Sequence, residues 1–300
     1  MSKKKVKKQV WGPKKTKKAM KFDDTYSLKY WKIFDIPLFG GDKSRVLKEL
    51  ENQIRQGRKK YWVATVNPEF VMAGEKDRWF KRILQTKTSL NVVDGIGLIW
   101  AFELIKSTSF KVDKVRSKFL KFMTRWWWGI KTGVDVLRGK YKERVASGAD
   151  LVVDLAKMAK KYNKKIFLLG GWGDRAVKTG EYLIKKTGLK NNQVRACAGE
   201  PTVTNEEVKK DINKFKPDVL LVAYGMKRQE MWIEENLKKI DAGVVMGVGR
   251  SFDYYSGDLK RAPKVWRKIG MEWLYSLIKE PKRIKRQLAL PKFVGRVLRG

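Results

Sequence analysis

The sequence has no histidine and a single cysteine among its 300 residues. Without imidazole there is no serine–histidine triad, histidine base or histidine-held metal, so proton transfer falls to carboxylates, lysine or tyrosine. Cys197 has no partner in the chain, which excludes an internal disulfide framework, fits a reducing compartment and leaves the thiol as a buried bystander. No Asp-x-Asp triplet occurs, so the usual acidic clamp for a metal-bound diphosphate is missing, and no metal or other cofactor is expected. A departing diphosphate would then be neutralised by Arg, Lys and helix N-termini. No run approaches twenty apolar residues, which excludes a spanning helix, and Phe22-Asp23-Asp24-Thr25 follows the basic start where a secretory signal needs an apolar stretch. Acid is scarce as well: 31 Asp and Glu stand against 69 Lys and Arg, a formal charge of +38. Such an excess calls for an anionic partner, whether nucleic acid, acidic lipid or a phosphorylated ligand.

What is present can bury a core, since 43% of the residues are hydrophobic. The basic excess gathers in three places. Residues 1–29 read as a lysine-rich disordered tail, with ten lysines and no acid in the first 21 positions. Residues 107–140 read as a basic aromatic insertion containing Trp126-Trp127-Trp128, either a helical hairpin packed on the core or an interfacial element. Residues 259–300 read as a basic amphipathic helical appendage facing a membrane, with the period Val265, Ile269, Trp273, Leu277 broken at Glu280-Pro281 and resumed through Ile284 and Leu288.

Between these segments, over 30–258, β-rich runs alternate with helical ones, the pattern of an α/β Rossmann-like domain with a mostly parallel sheet flanked by helices. The expected strands are Tyr61 to Val66, Leu90 to Val93, Lys165 to Leu169, Gln193 to Cys197, Asp218 to Ala223 and Gly243 to Gly247. Ligands in such sheets sit beyond the carboxyl ends of the strands. Asp94-Gly95 lies directly after one of them, where a partly desolvated carboxylate can act as a general base or simply make a turn. Thr65 and Asn67 close another, as sugar or nucleotide hydrogen-bonding groups or as a helix cap. Gly170 and Gly171 lead into Gly171-Trp172-Gly173-Asp174-Arg175-Ala176, a loose G-x-G-x-x-A turn. The acid that a nicotinamide site needs after the next strand is not convincing there, since Cys197-Ala198-Gly199 precedes Glu200, so a phosphate or nucleotide role remains. Gly225, followed by Lys227, Arg228 and Gln229, and Gly249 close two more strands as candidate nucleotide-facing turns.

In order and number these pieces resemble the WecG/TagA/CpsF family of glycosyltransferases, from about Tyr30 to Gln287. The resemblance rests on Thr65-Val66-Asn67-Pro68-Glu69, Asp94-Gly95-Ile96-Gly97, Glu143 to Leu151, Arg228 to Ile233, and Gly247 to Asp253. It continues through Gly257, Arg261-Ala262-Pro263, Glu272-Trp273-Leu274-Tyr275 and Glu280-Pro281-Lys282-Arg283. It implies an inverting, metal-independent transfer, typically of N-acetylmannosamine from its UDP donor to the 4-hydroxyl of N-acetylglucosamine on undecaprenyl diphosphate. By the same likeness Asp94 is the base, Thr65, Asn67 and Gln229 hold the donor, and Arg144, Arg283 and Arg286 neutralise diphosphate charge.

The partners implied are a UDP-sugar, a polyprenyl-diphosphate-linked acceptor and an acidic membrane surface, with self-association through the core. The implied location is cytoplasmic, peripheral on the inner face of the plasma membrane. The sequence departs from the family at the 107–140 insertion, at Ser276 where relatives often carry arginine, and at Arg250 where a small residue is usual. A capsule or exopolysaccharide enzyme using another UDP-sugar is the alternative within the class. A nucleic-acid-binding protein is the rival outside it, though no nucleic-acid module is legible and no nucleic-acid partner is expected.

Overall fold

The computed structural model describes residues 30–57, 60–113, 115–198 and 206–300; the expected lysine-rich tail lies outside them, as do Gly199 and Glu200. The described residues open with a hairpin, β1 (Tyr30–Ile33) and β2 (Ile36–Phe39), whose turn places Phe34 and Asp35 at positive φ. It continues through α1 (Lys43–Arg55), β3 (Tyr61–Val66), α2 (Pro68–Lys76), α3 (Arg78–Thr86) and β4 (Leu90–Val93). A pair of long helices follows, α4 (Ile96–Asp113) and α5 (Lys118–Leu137). Then come α6 (Gly148–Lys161), β5 (Ile166–Gly170), α7 (Arg175–Thr187), β6 (Val194–Cys197), α8 (Glu206–Phe215), β7 (Val219–Ala223), α9 (Arg228–Asn236), β8 (Val244–Gly247) and α10 (Ser251–Tyr255). The end of the chain is helical: α11 (Lys264–Lys268), α12 (Glu272–Lys279), α13 (Ile284–Gln287) and α14 (Ala289–Arg299).

Six strands form one all-parallel sheet in the order β4-β3-β8-β7-β5-β6. Parallel strands covered on both faces read as continuous apolar runs. In β7, Val219, Leu221 and Ala223 pack toward α1, α6 and α7, while Leu220 and Val222 pack toward α8 and α9. Each such side chain contributes about 1.5–3 kcal/mol by leaving water. The hairpin lies beside the β4 edge of this sheet, where Asn91 donates to the carbonyls of Pro37 and Leu84 at 2.8 and 2.6 Å. Side-chain caps set where helices begin: Asp42 accepts from the Arg45 amide for α1, Asn67 from that of Phe70 for α2, and Asp77 from those of Trp79 and Phe80 for α3.

The segment over 107–140 is the end of α4, a short turn and α5. Helix α5 approaches α4 and α14 closely because its inner face is small, with Gly129, Thr132 and Val136 buried and the Trp100 indole donating to the Gly129 carbonyl at 2.9 Å. Its tryptophans divide: Trp128 is half-buried and packs against the core, while Trp126 and Trp127 are exposed. The C-terminal helices break at two places beyond the one the periodicity suggests: at Gly270, whose φ of +73° separates α11 from α12, and at Leu288, between α13 and α14. The last of them is no loose appendage, because Phe293 and Val297 of α14 are buried among side chains of α2, α4 and the hairpin. Cys197, expected buried, is half-buried.

Candidate active site

The first and last strands of the core sheet, β3 and β8, lie side by side with Ala64 opposite Gly247, and β4 flanks β3. Their carboxyl ends therefore bring together Thr65, Asn67, Asp94 and Gly249, the crevice position at which open parallel sheets bind ligands. Asp94 is fastened there by its own amide, which donates to the Val66 carbonyl at 2.7 Å. The amide of Gly148, first residue of α6, donates to its carboxylate, and Gly148 lies close against Thr65, where a Cβ would come within 3.3 Å of the threonine methyl.

The surroundings of Asp94 were not legible as a cluster in the sequence. Arg261 donates to Asp150 at 2.6 Å, to Glu272 at 3.1 Å and to the Ser147 hydroxyl at 3.3 Å, joining the start of α6 to the start of α12. Burial of Asp94, followed by the negative charge of Glu272, pushes its carboxyl up to about 7, against the opposing pull of the Gly148 amide and Arg261. Burial also works against ionisation of Asp150, but Arg261, Lys43 and Arg267 outweigh it and hold that carboxyl below the ordinary range. Two acids in one site thus differ in charge state near neutrality. Of these two, Asp94 is the one poised to take and release a proton.

Other expected site residues have first obligations elsewhere. Gln229 is buried, its amide oxygen accepting from the Gly249 amide at 2.9 Å and its nitrogen donating to Glu230 at 2.7 Å. Glu230 also accepts from the Lys227 amide at 2.8 Å, while burial pushes its carboxyl up to about 7. Gln229 therefore shapes the β8 turn. The Thr65 hydroxyl donates to the Gly247 carbonyl at 3.2 Å, and the Asn67 oxygen is the cap of α2. Arg144 is turned onto Glu103 at 2.5 Å, between the rings of Phe102 and Tyr141. Lys227 pairs with Asp77 at 2.7 Å.

Gly170 and Gly171 stand apart from Asp94, since β5 is four places from β4 in the sheet, ~19 Å at ordinary strand spacing. Gly170 has a local reason to be glycine: its φ is +95° and a Cβ would sit 2.7 Å from the Tyr224 ring. Gly225 and Gly249 also take positive φ, with open space beside them.

A second cationic group gathers where the C-terminal helices cross the sheet ends. Arg250 reaches Glu280 at 2.7 Å, and Arg286 meets Glu69 through two bonds at 2.8 and 3.0 Å. Arg283 has no ion pair among the described residues; burial, then Arg250 and Arg286, destabilises its cation. Such a guanidinium is prepared for an incoming anion. Ser276, which departs from the family pattern, hydrogen-bonds Tyr254.

A parallel α/β sheet with a buried aspartate at its carboxyl edge, beneath helices that carry arginines, has the groups that a transferase acting on phosphorylated substrates needs. The chain matches the sequence profile of the "Glycosyl transferase WecG/TagA/CpsF family" over residues 31–126 and 127–300, and it belongs to that family. Among curated relatives it is 27% identical to the N-acetylglucosaminyldiphosphoundecaprenol N-acetyl-beta-D-mannosaminyltransferase of Bacillus subtilis (strain 168) over 267 residues, covering 89% of this chain and 90% of that one. The protein of the same name from Staphylococcus aureus (strain MW2) is 32% identical over 172 residues, covering 56% of this chain and 67% of that one.

Proposed function

We propose that this glycosyltransferase moves N-acetylmannosamine from a UDP donor onto the 4-hydroxyl of N-acetylglucosamine carried on undecaprenyl diphosphate. The observation that carries the reading is Asp94, held at the carboxyl end of β4 with its carboxyl pushed up to about 7. The names of the two relatives supply the sugar and the acceptor. Asp94 takes the proton of the acceptor hydroxyl as that oxygen attacks the anomeric carbon. The bond from that carbon to the donor phosphate oxygen breaks, and UDP departs with the electron pair, inverting the centre. A base whose pKa lies near the working pH suits this task.

The charge of the diphosphates falls to guanidinium groups: Arg283 is the open cation, and Arg286 joins it by sharing or releasing Glu69. Thr65 and Asn67 line the donor side with the β8 turn, whose shape Gln229 maintains. The step as written needs no metal. The C-terminal helices act as a roof that brings Glu272 to Asp94 and Arg283 to the acceptor diphosphate. The proposed work on a lipid-linked substrate supports a peripheral enzyme at the inner face of the plasma membrane.

The test is UDP release from UDP-N-acetylmannosamine with and without lipid-linked N-acetylglucosamine. Wild type should show acceptor-dependent release, lost by about 10²–10⁴-fold in Asp94→Asn. Its rate should rise with pH through about 7, because the base acts only once ionised. Release that is untouched by Asp94→Asn would remove the proposed base, and release only with another UDP-sugar would replace the donor.

A further inference from the structure

We propose that the outer face of α5 is a docking surface for an anionic phospholipid bilayer. Leu120, Met123, Trp127, Ile130, Val134 and Leu137 follow one another at alternating steps of three and four residues, which puts them in one stripe along the helix. Each is exposed, from 41% for Met123 and Val134 to 67% for Trp127. The opposite face is the buried one, held by Gly129, Thr132 and Val136 against α4 and α14, so the stripe cannot turn inward without undocking the helix. A contiguous apolar seam six side chains long on a fixed helix marks an interaction surface.

The charge around the stripe selects the occupant. From Arg116 to Lys140 there are seven Lys and Arg and one acid, Asp135, which Lys140 already holds at 3.0 Å. A second α5 laid on the same seam would set cation against cation along both flanks, with no acid to relieve them. Nucleic acid would meet the cations but leave the aliphatic seam without a partner. An anionic bilayer satisfies both, as indoles and aliphatic side chains enter the headgroup boundary while Lys118, Lys121 and Lys131 meet lipid phosphate. The inference deepens the proposed function and rests on it for the presence of a membrane-borne substrate. Its geometry is independent of Asp94 and the roof.

The experiment is co-sedimentation of the full chain with vesicles of phosphatidylcholine, with and without phosphatidylglycerol, at one physiological ionic strength, so that the lysine-rich start of the chain contributes equally to wild type and variants. Wild type should partition onto the anionic vesicles. The variant Leu120→Gln/Trp127→Gln/Ile130→Gln/Val134→Gln should bind about tenfold less, with unchanged circular dichroism and unchanged UDP release on a water-soluble acceptor analogue. Lys118→Glu/Lys121→Glu/Lys131→Glu should lose the preference for phosphatidylglycerol. Equal partitioning of wild type and the apolar variant overturns the proposal. So does a wild-type dimer that becomes monomeric in the variant while vesicle binding persists, since the seam is then a contact between copies. Loss of vesicle binding with intact soluble transfer, or the reverse, separates failure of this surface from failure of the proposed reaction.

Discussion

Helix α5 and the C-terminal helices α11 to α14 carry the same mixture of lysine, arginine and large apolar side chains, and both leave several of the latter exposed, yet the C-terminal helices are tied to the rest of the molecule by ion pairs and by α14. In the C-terminal helices Arg286 finds Glu69, while Glu280 and Glu272 are taken by Arg250 and Arg261. Phe293 and Val297 face inward. Around α5, no carboxylate among the described residues meets Lys118, Lys121 or Lys131, and a stripe of apolar side chains from Leu120 to Leu137 faces water. The lesson is that a basic amphipathic composition does not determine whether a segment joins the core. Where carboxylates stand opposite, as Glu69 does for Arg286 and Glu280 for Arg250, a basic segment is tied to its neighbours; where none does, as around Lys118 and Lys131, the cations stay in water.

The sharpest way to break this contrast is Phe293→Ala. If α14 is part of the core, its loss should destabilise the fold by about 3–5 kcal/mol in denaturant titration. A cost near zero would make the C-terminal helices an appendage after all. Next is Arg261→Ala, which leaves Asp150 and Glu272 beside Asp94 without their shared cation. A loss of about 2 kcal/mol is expected for this partly buried group. Since Arg261 favours ionised Asp94, the rise of activity with pH should also move above its position near 7. An unshifted profile would disconnect the roof from the base.

Asp94 also sets a stability trend whose sign follows from linkage. Its folded pKa of about 7 lies above the unfolded value of about 4, so the folded state binds the proton more tightly between those limits. Its contribution is full below the lower limit and is lost as pH rises through the upper one. Asp94→Asn should therefore melt above wild type at mildly alkaline pH, even as activity disappears. Equal melting there would mean that the carboxyl is not desolvated as the fold implies.

Much of this was readable in the residues. The β-rich runs located all six parallel strands to within a residue at each end, because covered parallel strands are unbroken apolar runs. Asp94 was readable because it follows one of them directly. The β1–β2 hairpin was not: Phe34-Asp35 lacks the glycine that announces a tight turn, although both residues adopt positive φ. Nor was the grouping of Asp150, Arg261 and Glu272 around Asp94, since three elements distant in sequence must fold before their charges meet. Gln229 looked like a ligand-facing amide, but burial commits it to Gly249 and Glu230. A strand-end polar residue announces a crevice position, not whether its hydrogen bonds remain open.

Gly270 tests the same contrast more gently. It sits against Ile96 at the start of α4, and a Cβ there would come within 2.8 Å of that side chain at a φ of +73°. Gly270→Ala should cost about 1–2 kcal/mol and lift α12 from Asp94, raising KM for the acceptor. Adding Ile96→Ala should relieve the collision and leave only the backbone penalty. No recovery would mean that φ alone makes glycine necessary.

The smallest effect belongs to α5, and its smallness is informative. Polar replacements at Leu120, Trp127, Ile130 and Val134 remove side chains that already face water, so each should move fold stability by no more than about 0.5 kcal/mol. A core-facing stripe of the same composition would forfeit about 2–5 kcal/mol for one such truncation, as expected for Phe293. Thermal unfolding of the four-residue variant beside Phe293→Ala therefore compares the two basic segments on one scale. A large loss in the α5 variant would mean that the stripe is covered in solution, by a second copy or by another part of the chain. An unchanged melting temperature would mean that these apolar side chains do nothing for the fold, leaving their exposure to be explained by what the enzyme touches.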